Sequence, residues 1–374
     1  MAQGGVTDCS SLIDAPAGKH GFTRIEGQHF VNDAGRIRFN GVNMARLHYF
    51  DLVQYRFREI REKGILVDDG TLLTIDAEQQ DKFDYLVYQL KKHGVYVNVN
   101  LLVGRRFKDR NGFDPDIQQK EFDYAQALFA HVNPYTCLSL VDDPAMALVE
   151  LNNENAVVTS IIRYKKDLTV GENTPDWPTY EELEKSTEEY KLETLRTFEN
   201  ADRDHWNRQR DILINEVGIK VPITGSQINY STPWASQQMD YFDMHAYWCH
   251  PNNSADKNKW TIDNLPMVNT TDGAKLTELA TYRPVDRPYT VSEYNHPFPN
   301  LYGAEGQPML HAYGAFQGWD GLIGHSYHNL SDVEPDHLAY NFTYAARTDA
   351  LAHSIACATM FLRGDVLWGT YNPD

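Results

Sequence analysis

Long apolar runs are missing from this 374-residue chain, and none approaches the ~20 residues that a membrane-spanning helix needs. Basic residues are also in deficit: 34 Lys+Arg against 52 Asp+Glu leave a formal net charge of −18. Neither nucleic acid nor an anionic membrane is therefore an expected partner, because both demand a basic face. Cysteine is sparse. Cys9, Cys137, Cys249 and Cys357 lie too far apart for a zinc knuckle or a CxxC redox pair. Buried free thiols are the expectation, although four cysteines allow three pairings. No phosphate loop, dinucleotide fingerprint or HExxH spacing is present, so no cofactor and no metal is expected. Residues 1–11 lack the charged and apolar regions of a signal peptide. A secreted or periplasmic protein with its leader removed is the expected setting, with the cytoplasm as the alternative.

What remains is an ordinary globular composition, 42% hydrophobic and 23% charged, with enough apolar mass for a large core. Aromatics reach 12% of the chain, in numbers that suit a sugar-binding cleft, though most must serve as core. Residues 22–40 read as a β-hairpin around the turn Asn32-Asp33-Ala34-Gly35. Short apolar strands then alternate with helical patterns. Strands are expected at 37–43, 46–50, 95–101, 145–152, 221–225, 241–247, 288–293 and 321–327. Asp76 is positioned to cap a helix whose stripe is Phe83, Leu86, Val87 and Leu90, ended by Gly94. Phe122, Ala125, Phe129 and Val132 form a second stripe, ended by Pro134. Residues 180–217 read as two helices, and 272–281, 308–317 and 345–360 as further ones.

Alternating βα units with eight near-continuous apolar strands predict an α/β fold, a (β/α)₈ TIM barrel. It forms one domain over residues 1–374, with an N-terminal segment and hairpin over 1–36. One feature conflicts. FNGVNM and ARLHYF abut directly, whereas neighbouring parallel strands need a crossover of at least ~10–12 residues. The first crossover helix is missing from the sequence near Met44–Ala45, and such a barrel would expose apolar sheet surface.

Active sites of such barrels lie at the C-terminal strand ends. The fourth strand, MALVELNN, runs into Glu154, preceded by Asn153; the seventh, PYTVS, runs into Glu293. Two carboxylates facing each other across the barrel mouth are the machinery of retaining glycoside hydrolysis, in which one protonates the leaving oxygen and the other attacks the anomeric carbon. Glu150, four residues before Glu154, is a decoy expected deep in the barrel or between strand and helix.

The segments VELNNEN and YTVSEYNHP resemble the two signature segments of glycoside hydrolase clan A, the group that includes family five cellulases and mannanases. RLH on the second strand looks like the clan's nucleophile-orienting Arg, and DMHAYW on the sixth like its His-x-Tyr. The resemblance covers most of the chain. It implies a retaining β-glycosidase or β-glycanase with Glu154 as acid/base and Glu293 as nucleophile. Its partner would be an oligo- or polysaccharide. Arg46 and Tyr247 would donate to Glu293, and Asn153 to the sugar 2-OH; His245 would orient Glu154 or bind a hydroxyl. His48 and Asn43 would line the same subsite. Trp248, Trp234, Tyr230 and Tyr327 are candidate stacking platforms. Where the clan often has a Trp at the end of strand eight, this chain has His325 or Tyr327, which leaves substrate identity open. Arg105 and Arg106 could meet an anionic sugar substituent.

Two other readings compete. A metal-dependent hydrolase would use His245, His250, His296, His325 and His328 near strand ends. A non-catalytic carbohydrate-binding barrel would be expected to have lost one of the two carboxylates.

Overall fold

The computed structural model describes residues 13–43, 45–52, 55–57, 60–62, 64–67, 69–104, 112–166, 168, 175–252, 259–270, 274–327, 341–345 and 347–369. Eight parallel strands occur in it: β1 (Phe39–Val42), β2 (Arg46–Leu47), β3 (Val97–Asn100), β4 (Met146–Glu150), β5 (Ile223–Thr224), β6 (Phe242–Tyr247), β7 (Tyr289–Asn295) and β8 (Gly321–Gly324). They form two rows, β5–β4–β3–β2 and β6–β7–β8–β1. Among the described residues no strand pairing joins β1 to β2 or β5 to β6. The ring expected from the sequence is thus seen as two open parallel sheets. Across the second seam Asp240 N–H donates to Ile223 O at 2.9 Å and Thr224 Oγ1 donates to Tyr241 O at 2.8 Å.

Helices cover the outer faces: α1 (Ala77–Lys92), α2 (Pro115–Ala130), α3 (Tyr180–Lys185), α4 (Glu188–Ile212), α5 (Ala274–Thr281), α6 (Gly306–Phe316) and α7 (Thr348–Arg363). Their ends have local causes. The Asp76 carboxylate accepts from Gln79 N–H at 3.0 Å, satisfying an orphan donor of the first turn of α1. Thr179 and Glu182 form a reciprocal capping box on α3, and Thr187 caps α4, which splits the 180–217 segment in two. On α1, Phe83 and Val87 are buried, while Leu86 and Leu90 are half-buried. The α2 stripe is rotated from its expected position: Tyr124, Ala125, Leu128 and Phe129 are buried, and Val132 is exposed in a short two-stranded ribbon. The helix ends at Ala130, four residues before Pro134, which has no N–H to bond to its carbonyl.

Each row has its own core. Phe83, Tyr124, Phe129 and Trp206 pack on Val97, Val99 and Val149; Leu279, Leu310 and Phe361 pack on Met244, Val291 and Leu322. Burying one such side chain contributes roughly 1.5–3 kcal/mol. Arg24–Glu26, His29–Asn32 and Gly35–Arg36 form an antiparallel meander. Its Phe30, fully buried, packs edge-on against Tyr241 and near Phe39, closing the N-terminal end of the strands. Between β1 and β2 no helix intervenes. Cys137, Cys249 and Cys357 are free thiols; only Cys357 is buried, and Cys137 is exposed, because it sits in the turn of the ribbon. Cys9 lies outside the described residues, as does Met44. No described helix is long and apolar enough to cross a membrane.

Candidate active site

Strand periodicity delivers most of the polar residues between the two rows. Asn98 and Asn100 alternate on β3, and Asp243, His245 and Tyr247 alternate on β6, so each set shares one face. On β7 the same rule would send Ser292 and Glu293 to opposite faces. A register shift opposite Met244 and His245 breaks the alternation there. Both side chains therefore reach the same group of residues, the way a bulge re-aims a side chain.

Arg46, fully buried, organises the charge. Its Nε and Nη2 donate to the two oxygens of Glu150 at 2.8 and 2.6 Å, its Nη1 donates to Glu293 Oε1 at 2.7 Å, and its Nη2 donates to Asn153 Oδ1 at 2.8 Å. Glu150 also accepts from Asn98, Asn100 and Gln227 amides at 2.5, 2.9 and 3.2 Å. Burial works against the guanidinium charge, but Glu150 and Glu293 more than restore it, and its pKa is raised. The decoy Glu150 is thus an anchor for Arg46.

Glu293 is buried, and burial alone would favour its protonated form. His245, His325, Arg46 and His48 outweigh that and hold its pKa well below the usual carboxylate range. The Tyr247 hydroxyl donates to its Oε2. Glu154 sits just past β4 with φ +49°, an unusual conformation for a residue with a Cβ. Its N–H donates to Gln227 Oε1 at 2.7 Å, which holds it there. His245 bridges the pair: Nδ1 lies 2.7 Å from Glu154 Oε1 and 3.6 Å from Glu293 Oε2. Its Nε2 lies 2.9 Å from Ser292 Oγ, whose hydroxyl donates to Asp243 at 2.5 Å. That chain places a proton on Nε2. Burial opposes a second proton on the ring, but Glu293 and Glu154 outweigh it and raise its pKa. One oxygen of each glutamate and His245 Nδ1 lie within 4.8 Å of one another.

Of the residues singled out in the sequence, Arg46, His48, Asn153, Glu154, His245, Tyr247 and Glu293 converge here. His48 Nδ1 lies 3.0 Å from Arg46 Nη1. His325 joins them, its Nδ1 2.7 Å from Asn43 Nδ2 and 3.5 Å from Glu293 Oε2. Burial, foremost, lowers the pKa of both His48 and His325, while Glu293 works the other way. Trp248 instead packs on the outer core and donates its indole N–H to Leu265 O at 2.8 Å. Trp234 donates to Asn200 beneath the Arg196 and Arg203 side chains. Tyr327 is exposed. Arg105, Arg106 and His328 lie outside the described residues. Tyr230, an expected platform, also lies at the site beside Glu154, and Gln227, Asp243, Ser292 and Phe342 are additions. Alternation with His245 could have found Asp243, but no local pattern marks the others. The Tyr230 hydroxyl pKa is pushed up by burial and by Glu154, and Arg163 covers its ring at 4.7 Å. Phe342 packs edge-on against Tyr247 and lies near His325.

Among the described residues, the cluster with metal-ligand spacing is Glu154, His245 and Glu293. His296 stands apart, 2.9 Å from the Tyr294 hydroxyl, its pKa lowered to about 4 chiefly by burial.

No protein-family profile and no curated protein matches the sequence. Solved structures do. A glycoside hydrolase family 5 mannosidase from Rhizomucor miehei aligns with a TM-score of 0.58 at 10% identity, over 92% of this chain and 98% of that one. The fold is that of glycoside hydrolase family 5 enzymes. An endo-1,4-β-mannanase from the same fungus aligns at 0.52 with 10% identity, over 91% and 100% of the two chains. The endo-β-1,4-mannanase of Thermotoga petrophila aligns at 0.53 with 12% identity over 77% of this chain, which spans 63% of that longer one. This family 5 fold is the one that the Asn-Glu and strand-seven Glu segments imply.

Proposed function

We propose that this chain is a retaining glycoside hydrolase that cleaves β-glycosidic bonds of an oligo- or polysaccharide by double displacement. The two parallel rows are the halves of one (β/α)₈ barrel. The observation that carries the reading is the approach of a Glu154 and a Glu293 oxygen to within 4.8 Å, since retaining pairs lie about 5–5.5 Å apart and inverting pairs further. Glu293, kept ionised by Arg46 and Tyr247, attacks the anomeric carbon while Glu154 protonates the departing oxygen. Once Glu293 is esterified its charge is gone. Glu154 then takes a proton from water, which displaces the carboxylate with net retention. His245 Nδ1, 2.7 Å from Glu154 Oε1, orients Glu154. Asn153, its oxygen engaged by Arg46, turns its amide N–H groups toward the sugar, where a contact to the 2-OH strengthens in the transition state.

The structural neighbours include mannanases and a mannosidase, so β-mannosides are the first substrates to test. An activated 2-fluoromannoside should label Glu293, located by peptide mass spectrometry, and the first-formed anomer should be β by NMR. Glu293→Gln should lose about 10³-fold or more in turnover, and Glu154→Ala should be rescued by azide on an aryl glycoside. Label on another residue, or an α first product, removes the mechanism.

A further inference from the structure

Three side chains tie down the backbone around Glu154. Just past β5, Gln227 Oε1 accepts from the Glu154 N–H at 2.7 Å and Ser226 Oγ accepts from the Asn155 N–H at 3.3 Å. The third comes from outside the sheets. Asp202 of α4 accepts from the Val157 N–H with both oxygens, at 2.8 and 2.9 Å, and from the Val158 N–H at 3.4 Å. Of these anchors only Asp202 carries a charge.

The sequence explains why an outside group is needed. A helical turn opens at Val157, and the first N–H groups of such a turn have no partner within it. A Ser, Thr, Asp or Asn immediately before it would supply one. Ala156 stands there instead. On α4 the buried Phe198 and Asp202 are four residues apart and share a face. Phe198 packs in one cluster with Val157 and Ile161, which brings the Asp202 carboxylate onto the two N–H groups. Gly112 closes over it: a Cβ there would lie 3.2 Å from Asp202 Oδ1.

The charge itself calls for an explanation. Asp202 is 2% exposed. On its own helix His205 favours the carboxylate and Glu199 opposes it. From α2, Glu121 faces His205 at 3.1 Å. The segments 112–113 and 156–161 packed around it carry no ionisable side chain. Burial, foremost, pushes its pKa up to about 7. A neutral oxygen would cap the turn without the cost of burying a charge. What a carboxylate adds is an anchor that weakens on protonation, since hydrogen bonds to a charged acceptor are about twice as strong as neutral ones.

We propose that Asp202 is a positioning residue for Glu154: its carboxylate fixes the turn that begins three residues after Glu154, and protonation releases that turn. The inference rests on the glycosidase reading. With the turn fixed, Glu154 keeps φ +49° and its 2.7 Å approach to His245 Nδ1. With the turn loose, Gln227 and Ser226 still hold the chain, but the carboxyl shifts from the leaving oxygen, and a misplacement of about 1 Å can cost about 10²-fold in rate.

Asp202→Asn tests this, because it keeps the shape and one accepting oxygen and removes the charge. On an aryl β-glycoside that the parent hydrolyses, kcat of the variant at pH 8 should be lower by about tenfold or more, with KM within about twofold. The parent-to-variant kcat ratio should fall between pH 8 and pH 6 with a midpoint at about 7, because protonation makes the parent resemble the variant. Groups that titrate in both proteins cancel from the ratio. The parent alone gives a second readout, which decides if the variant does not fold. In hydrogen-exchange mass spectrometry, protection of a peptide spanning 155–161, corrected for intrinsic exchange, should drop by about tenfold over the same pH range while that of β3 stays constant. An active parent with a pH-independent ratio, or with unchanged protection, overturns the inference and leaves the glycosidase reading standing. A parent inactive on every aryl glycoside, whatever the exchange shows, overturns both.

Discussion

Glu150→Gln removes one charge and almost no volume, which makes it a sharp probe of how Arg46 is held. In the structure the two Glu150 oxygens accept from five donors: Arg46 Nε and Nη2, Asn98 Nδ2, Asn100 Nδ2 and Gln227 Nε2. Glutamine offers one oxygen with two lone pairs and adds two N–H donors of its own. At least two of the existing donors lose their partner, at roughly 1–3 kcal/mol each in a buried setting. Treated instead as the breaking of a buried ion pair, the change costs about 3–5 kcal/mol. The two routes describe the same atoms and agree, so a loss of about 3–5 kcal/mol is expected, large against a total stability of roughly 5–15 kcal/mol. Urea denaturation at pH 7, monitored by tryptophan fluorescence, measures it. Glu293 still receives Arg46 Nη1 and Tyr247, so turnover well below the melting temperature should stay within about tenfold of the parent, on the scale of one lost contact. A destabilisation under about 1 kcal/mol, or a turnover loss as deep as that of Glu293→Gln, would refute the assignment of Glu150 as an anchor.

Three further outcomes are expected. Tyr247→Phe removes a donor to the Glu293 carboxylate, a bond to a charged group worth about 1.5–3 kcal/mol. The carboxylate becomes a poorer leaving group, so the glycosyl-enzyme should accumulate, with a burst in stopped-flow release of the aryl group; a uniform slowing without a burst would count against it. Gln227→Leu frees the Glu154 backbone from the bond that holds it at φ +49°; kcat should fall about 10–100-fold with KM little changed, and a pure KM effect would contradict this. His311, buried and held neutral foremost by desolvation, has its pKa lowered to about 4. Because the folded value is below the unfolded value of about 6.5, its contribution is present above pH 6.5 and lost as pH falls through 4. The stability gap between the parent and His311→Gln should therefore shift against the parent by up to about 3 kcal/mol between pH 7 and 4. A gap that stays constant would mean that His311 titrates normally.

Much of the site is legible because chemistry concentrates on and just past the parallel strands: Arg46 on β2, Glu154 just past β4, His245 and Tyr247 on β6, and Glu293 on β7. Asn153 and His48 come with them, as chain neighbours of Glu154 and Arg46. Of the aromatic platforms, Tyr230 falls beside Glu154 and the tryptophans do not. Trp248 and Trp234 lie past strand ends as expected, yet one turns to the outer core and the other to α4. Which way a side chain points beyond the last paired residue depends on loop packing, and strand periodicity ends there. Val132 shows the same limit at a helix end, where α2 stops at Ala130 before the stripe is complete.

The amino-acid sequence alone determined the alternation of strands and helices, the absence of a crossover between β1 and β2, and the two glutamates, Glu154 just past β4 and Glu293 on β7. All are local: period, length and turn chemistry lie within a few consecutive residues. Only the tertiary structure decided that Glu150 holds Arg46, that a register shift turns Ser292 and Glu293 the same way, and that His245 bridges two carboxylates. Those outcomes join groups up to 247 positions apart, as in the bond from Arg46 to Glu293. Their energies depend on burial and on distances of a few ångströms, which exist only once the sheets have come together.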